Sequence, residues 1–242
     1  MTTQLTRMAG GTAALLAALL CAGWASVAGA AGGPDSDRAR ADALLRDAAA
    51  VLRPYLADPL WEGLLNSLGG ARAVFIVPED IKASALLGMT GGEGVLLRRH
   101  GAGWSDPVFM KLSSVSVGLQ AGVETQKLLM IIMTDSGVDD LLAGAGKIGG
   151  SGGFALAKWG LGVSGSGGTK GGLQVLTVAT GQGLSLGGGL QHTTMSFQKD
   201  LNAAYYGVGV ELRSVAAARG RSSEAAELRT VLEKAVARAW GQ

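Results

Sequence analysis

Residues that could do chemistry are few and scattered in this chain. Gly183-Leu184-Ser185-Leu186-Gly187 has the G-x-S-x-G spacing of a serine nucleophile elbow. That motif needs a strand, a sharp strained turn and a helix, followed later in the chain by an acid and then a histidine. Here His192 follows Ser185 too closely, Asp200 comes after it, and glycine continues through Gly188 and Gly189. Gly144-Ala145-Gly146-Lys147 and Gly167-Gly168-Thr169-Lys170 begin like phosphate loops, but Ile148 and Gly171 stand where the motif requires a hydroxyl. His100 and His192 are the only histidines and lie far apart. Asp135, Asp139 and Asp140 lack the spacing of a calcium loop, and helix capping and solvation account for them better. These residues point away from an enzyme, with no catalytic set, no metal site and no cofactor.

The cations are more informative. Arg72, Lys82, Arg98 and Arg99 flank β-prone runs on either side of Pro78. If those runs pair, the four could converge near one edge, and each arginine could bind phosphate by a bidentate, charge-assisted pair. A solvated strand edge that discourages aggregation would carry the same residues. Trp104, in a Trp-Ser-Asp-Pro turn, fits an interfacial anchor or a core plug. Arg38, Arg40, Arg46 and Arg53 sit on the polar side of an amphipathic helix, which fits an anionic membrane surface or a helix that covers a sheet.

The elements that must position these groups can be read from the period of the apolar residues. Leu44, Leu45, Ala48, Val51, Leu52 and Tyr55 recur at helical spacing and give a helix over 37–57, with Pro54 near its end. Asp58-Pro59 opens a second helix over 60–68, closed by Gly69-Gly70. Strands are expected at 71–77, ended by Pro78, and at 83–87, 94–99, 115–124, 128–134, 173–180 and 182–191. Short helices fit 138–143 and 200–206, and a final amphipathic helix runs from Ser222 or Ser223 to near Trp240. The glycine-rich stretch 144–172 fits bulged strands or a loop. The fold class is α+β, a mainly antiparallel and strongly curved or barrel-like sheet with amphipathic helices at both ends.

Composition bounds the setting. Arg7, the apolar run from Met8 to Leu20 and the small residues Ala28-Gly29-Ala30 read as an export leader over residues 1–30. The apolar run is shorter than the roughly 20 residues a membrane span needs. Cys21 is the only cysteine; Leu20 before it fits a lipidation signal poorly. Without the leader the formal charge falls from +2 to +1, which gives no global field toward nucleic acid. The remainder, 31–240, fits one domain. The 40 glycines of the whole chain are interleaved with Val, Leu and Ser, which argues for turns and close strand packing rather than disorder.

Several separated motifs carry a resemblance to a known family. They are Ala71-Arg72-Ala73-Val74-Phe75-Ile76-Val77-Pro78 with Lys82, Gly91-Gly92-Glu93-Gly94-Val95-Leu96 with Arg98, Trp104-Ser105-Asp106-Pro107 with Phe109, Val117 to Gly122, and Asn202 with Tyr205-Tyr206-Gly207. Taken in order they resemble the SYLF family of lipid-binding domains, over about residues 40–235. There are departures: Ser84-Ala85 stands where the family has Gly-Phe, Trp159-Gly160-Leu161 stands near an expected Gly-Pro step, and Gln191 replaces a usual glutamate. The resemblance implies a non-enzymatic phospholipid-binding domain. The expected setting is the periplasm or secretion, peripheral to a membrane, with Arg72, Lys82, Arg98, Arg99 and Trp104 as the lipid-contacting residues. A structural or adaptor role on an envelope protein partner is the alternative, suggested by the C-terminal helix and Trp240. No SH3 or FYVE segment is recognisable in these residues, so the resemblance does not carry the eukaryotic actin role.

Overall fold

The computed structural model describes residues 33–84, 87–117, 122–143, 146–148, 154–158, 163–164, 175–181 and 192–241. The leader, the G-x-S-x-G segment, Gly144 and Ala145 of the first candidate phosphate loop, Gly167–Lys170 and the strand expected at 182–191 lie outside the described residues.

Chain order begins with helix α1 (Pro34–Ala57), a 3-10 turn (Pro59–Trp61) and helix α2 (Glu62–Gly70). Strands follow: β1 (Ala73–Ser84), β2 (Leu87–His100), β3 (Gly103–Trp104), β4 (Val108–Val117) and β5 (Gly122–Ile132). Helix α3 (Asp135–Leu142) precedes β6 (Gly146–Ile148), β7 (Phe154–Lys158), β8 (Val163–Ser164), β9 (Val175–Gly181) and β10 (His192–Phe197). Helices α4 (Lys199–Tyr206), α5 (Leu212–Ala217) and α6 (Ala226–Trp240) close the chain.

The strands form one sheet in the order β6-β10-β4-β2-β1-β5-β9-β7-β8, with β3 paired to β2. Among the described residues every pairing is antiparallel except β7 with β9. The α+β class holds, but the sheet is neither closed nor strongly curled, which corrects the barrel-like expectation. Helices cover both faces, so the apolar side chains of the sheet are buried without closing it on itself. On one face Val74, Ile76, Val95, Leu97, Leu129 and Ile131 pack against α1, α2, α4 and α6. On the other, Phe75, Leu96, Met110, Leu128 and Met130 join α3 and α5. The two sets alternate along β1 and β5, as the period of a strand requires.

Pro78 does not end β1. The register slips between Ile76 and Glu79 against β2 and between Val77 and Asp80 against β5, so the strand passes through a bulge. A proline is tolerated in a central strand only where the ladder is already interrupted. Gly94 lies across from that bulge, where a Cβ would stand 2.6 Å from the Ile76 carbonyl oxygen and 2.6 Å from the Phe75 ring. Only glycine fits there.

Candidate functional site

Arg72, Arg98 and Arg99 meet at the end of the sheet away from the β1–β2 turn. Ala73 pairs with Arg98, and the Arg99 amide donates to the Arg72 carbonyl at 2.8 Å. Strand alternation sends the two neighbouring arginines to opposite faces. Arg98 reaches α3, donating from Nη1 to Asp139 at 3.0 Å and from Nη2 to Asp135 at 3.3 Å. Arg72 Nε lies 3.6 Å from the same Asp135. Asp135 is available because Thr134, not Asp135, caps α3, its Oγ1 accepting from the Gly137 amide at 3.1 Å. Both aspartates are exposed, and such pairs contribute little, about 0–1 kcal/mol each.

Arg99 turns to the α2 face. Its Nε donates to the Gly101 carbonyl at 3.0 Å and its Nη1 to the Gly69 carbonyl. Among the described residues no carboxylate pairs with it. Burial, and after it the charge of Arg72, pushes its pKa below the usual guanidinium range. Arg99 therefore brings to this end of the sheet a positive charge that carbonyl dipoles solvate and that no acid among the described residues neutralises.

Lys82 does not join this group. It pairs with Thr90 and Glu124 near the β1–β2 turn, ten residues along β1 from Arg72 and so roughly 33 Å away at strand rise. The expected convergence of four cations rested on Pro78 being a turn; because Pro78 is a bulge in one long strand, Lys82 falls at the opposite end. Trp104 is also elsewhere than the surface. It is 1% exposed in the core beneath the helices, and its Nε1 is a buried donor without a protein partner. Of the two readings the sequence leaves for Trp104, the structure places it as a core plug.

A cation outside the expected set does reach this end. Gly103 lacks a side chain where Arg219 crosses it; a Cβ there would lie 2.8 Å from Arg219 Nε. Arg219 thus lies over the same turn whose Gly101 carbonyl holds Arg99. No local pattern marks it, since only the fold brings the segment before α6 onto the β2–β3 turn. The arginines of α1 are mostly spoken for: Arg38 pairs with Asp42 and Glu224, Arg40 with Asp37 and Glu93, and Arg53 with Glu227. That favours a helix that covers the sheet over one presented to a membrane. The apolar stripe of α6, Leu228, Val231, Leu232, Ala235 and Val236, is likewise buried.

The motifs between residues 104 and 207 interlock. Asp106 accepts from the amides of Arg221 at 3.0 Å and Ser222 at 2.9 Å, and from Arg229 Nη1 at 2.7 Å. Gly220, whose Cβ would stand 2.6 Å from the Ser105 carbonyl carbon, permits this approach, and its amide donates to the Trp104 carbonyl at 2.8 Å. Tyr206 donates to the Pro107 carbonyl. Tyr205 sets its ring edge-on to Phe109 with centroids 5.2 Å apart, and Arg38 lies 4.4 Å over the Tyr205 ring. Buried Asn202 continues the sheet where β10 has ended: its Oδ1 accepts from the Phe109 amide at 3.1 Å, and its Nδ2 donates to the Phe109 carbonyl at 2.7 Å. These residues build the scaffold rather than contact a ligand. His100 is similarly occupied, its Nε2 2.7 Å from the Ala216 carbonyl oxygen. Among the described residues no group of three or more His, Cys, Asp or Glu could hold a metal ion.

Comparison with known proteins agrees with the motif reading. The family model described as Ysc84, the Las17-binding protein actin regulator, matches residues 113–235. The SH3 domain-containing YSC84-like protein 1 of Rattus norvegicus is 27% identical over 128 residues, 52% of this chain and 38% of that protein. Its Xenopus laevis counterpart is 27% identical over 158 residues, 63% of this chain and 47% of that protein. The chain thus spans less than half the length of these relatives. No solved structure matches.

Proposed function

Because this chain belongs to the Ysc84 or SYLF family, known for lipid binding, we propose that it is a non-enzymatic phospholipid-binding protein of a bacterial cell envelope. In this reading residues 1–30 direct export, 31–240 form one domain, and the protein works in the periplasm or after secretion, peripheral to a membrane. The observation that carries the lipid contact is the meeting of Arg72, Arg98 and Arg99 at one end of the sheet, with Arg99 facing no acid among the described residues. A guanidinium in that state favours phosphate, which it binds bidentately. Las17 binding and actin regulation are named for the family, and an SH3 domain for the relatives; the proposal for this chain includes none of them. An adaptor role through the apolar stripe of α6 is disfavoured, because that stripe is already in the core.

Co-sedimentation with phosphatidylcholine vesicles, with and without phosphatidylglycerol, tests the proposal. The expected outcome is binding that strengthens with phosphatidylglycerol and weakens as salt screens the headgroups. Recovery at background with both vesicle types would refute it.

A further inference from the structure

Trp240 is the last residue of α6 and 71% exposed, while the rest of that helix's apolar stripe is buried. Only Val208 among the described large apolar residues is more exposed. Its indole is not adrift. A Cβ on Gly69 would stand 3.5 Å from Trp240 Nε1 and 3.7 Å from Cε2, and 3.1 Å from the Ala239 Cβ, so the end of α6 rests on a glycine in the last turn of α2. The carbonyl of that same Gly69 accepts from Arg99. Arg72, three residues on, offers its own carbonyl to the Arg99 amide. An exposed indole, the Arg99 guanidinium and the Arg72 guanidinium, which also lies 3.6 Å from the exposed Asp135, therefore share one end of the molecule, built from the ends of α2 and α6 and the start of β1 and end of β2.

This pairing of groups has a specific chemical fit. An indole is apolar over its face and polar at its N–H, so it settles at the boundary between acyl chains and headgroups. Guanidinium groups beside it lie at the depth of the phosphates. We propose that Trp240, Arg99 and Arg72 form one interfacial contact with an anionic phospholipid leaflet, the indole at the acyl boundary and the guanidiniums on phosphate. The proposal rests on the phospholipid-binding reading and adds an orientation to it: this end of the sheet meets the bilayer, and the β1–β2 turn near Lys82 points away. The pressure of Arg72 on the Arg99 charge, which an anion between them would relieve, is consistent with it.

The test uses the full chain and vesicles of phosphatidylcholine with phosphatidylglycerol, one set carrying bromine on the upper acyl chain. Wild type, Trp240→Ala, Trp240→Phe, Arg99→Gln and Lys82→Gln are compared for partitioning, and the first and third for quenching of tryptophan fluorescence. Expected are about tenfold weaker partitioning for Trp240→Ala and a loss of the same order for Arg99→Gln. Lys82→Gln should bind like wild type. Bromine quenching should be seen in wild type and disappear in Trp240→Phe. Circular dichroism melts verify that each variant is folded; if Arg99→Gln is not, the Trp240 variants decide alone. Failure of wild type to bind any vesicle sinks the phospholipid reading itself. Binding by wild type with unchanged Trp240→Ala partitioning, or quenching that persists in Trp240→Phe, overturns this inference alone. So does a dimer on size-exclusion chromatography that Trp240→Ala dissolves, which would assign the patch to a second copy of the chain.

Discussion

Replacing Asn202 should reveal how much of the sheet edge depends on one amide. Its side chain is 2% exposed and serves three backbone groups: it accepts from the Phe109 amide at 3.1 Å and donates to the carbonyls of Phe109 at 2.7 Å and Gln198 at 2.8 Å. The two carbonyls keep other donors, since the Gln198 amide reaches Phe109 O at 3.0 Å and the Asn202 amide reaches Gln198 O at 3.0 Å. The Phe109 amide gains no such substitute, so Asn202→Ala leaves one buried donor unsatisfied, at a cost of about 1–3 kcal/mol. Two lost hydrogen bonds to acceptors with another donor add about 0.5–1 kcal/mol in all, for a total of about 1.5–4 kcal/mol. Asn202→Asp is the sharper perturbation. It keeps the acceptor for Phe109 but turns the other oxygen, now without protons, toward two carbonyl oxygens in a buried place. It should therefore cost more than alanine, although it is the closer isostere. Urea unfolding followed by circular dichroism measures both, and in thermal melts, at roughly 2–4 °C per kcal/mol, the alanine variant's Tm should fall by about 3–16 °C. An alanine variant within about 0.5 kcal/mol of wild type, or an aspartate variant more stable than alanine, would refute the ladder role.

Two further perturbations test other joints. Gly94→Ala should lower stability by at least about 2 kcal/mol, because the new methyl meets the Ile76 carbonyl oxygen at 2.6 Å, a backbone atom that cannot swing aside; an unchanged urea midpoint would show that the bulge can relax. Burial, and after it the charge of Asp106, pushes the Tyr206 phenol above its ordinary 10.0. A folded pKa above the unfolded one gives stability that is complete below pH 10 and falls as pH rises beyond it, by up to about 1.4 kcal/mol per pH unit for one group. Tyr206→Phe should flatten that decline, and thermal melts on both sides of pH 10 would record it; equal slopes in both proteins would count against the shift. Tyr55 and Tyr205, also raised by burial, leave a residual slope in the variant.

Helices were easier to read in this sequence than strand partners. The apolar spacing of Leu45, Ala48, Leu52 and Tyr55 marks α1, and that of Leu228, Val231, Leu232 and Ala235 marks α6, because a helix's buried face is a local property. Helix α5 leaves no mark in the sequence, because six residues carry too little periodicity. The expected strand over 115–124 spans the end of β4 and the start of β5, since alternating valine, serine and glycine give no turn signal between them. Pro78 was read as a stop because its effect depends on whether both neighbouring strands slip register, which no local window contains. The site divides the same way. Arg72, Arg98 and Arg99 stand beside recognisable strands, so their meeting could be anticipated. Arg219 and the position of Trp240 over Gly69 depend on contacts between distant segments, and Trp104 at a turn in sequence proved central in space.

The order of strands also bears on where this protein's unit of folding begins. The family match starts at residue 113, inside β4, and so includes β5 and part of β4. Those two strands are consecutive in the chain but do not pair, because β2 and β1 lie between them, and both come from upstream of the match. A fragment cut to the matched residues would lack the middle of its own sheet. It would expose the β1-facing edge of β5 and the β2-facing edge of β4, two unpaired edges of the kind that recruit other chains into aggregates. The region by which the family is recognised is therefore not a module that can be lifted out. The strands that let it stand alone are those from Ala73 to His100, which also carry Arg98 and Arg99 to the end of the sheet.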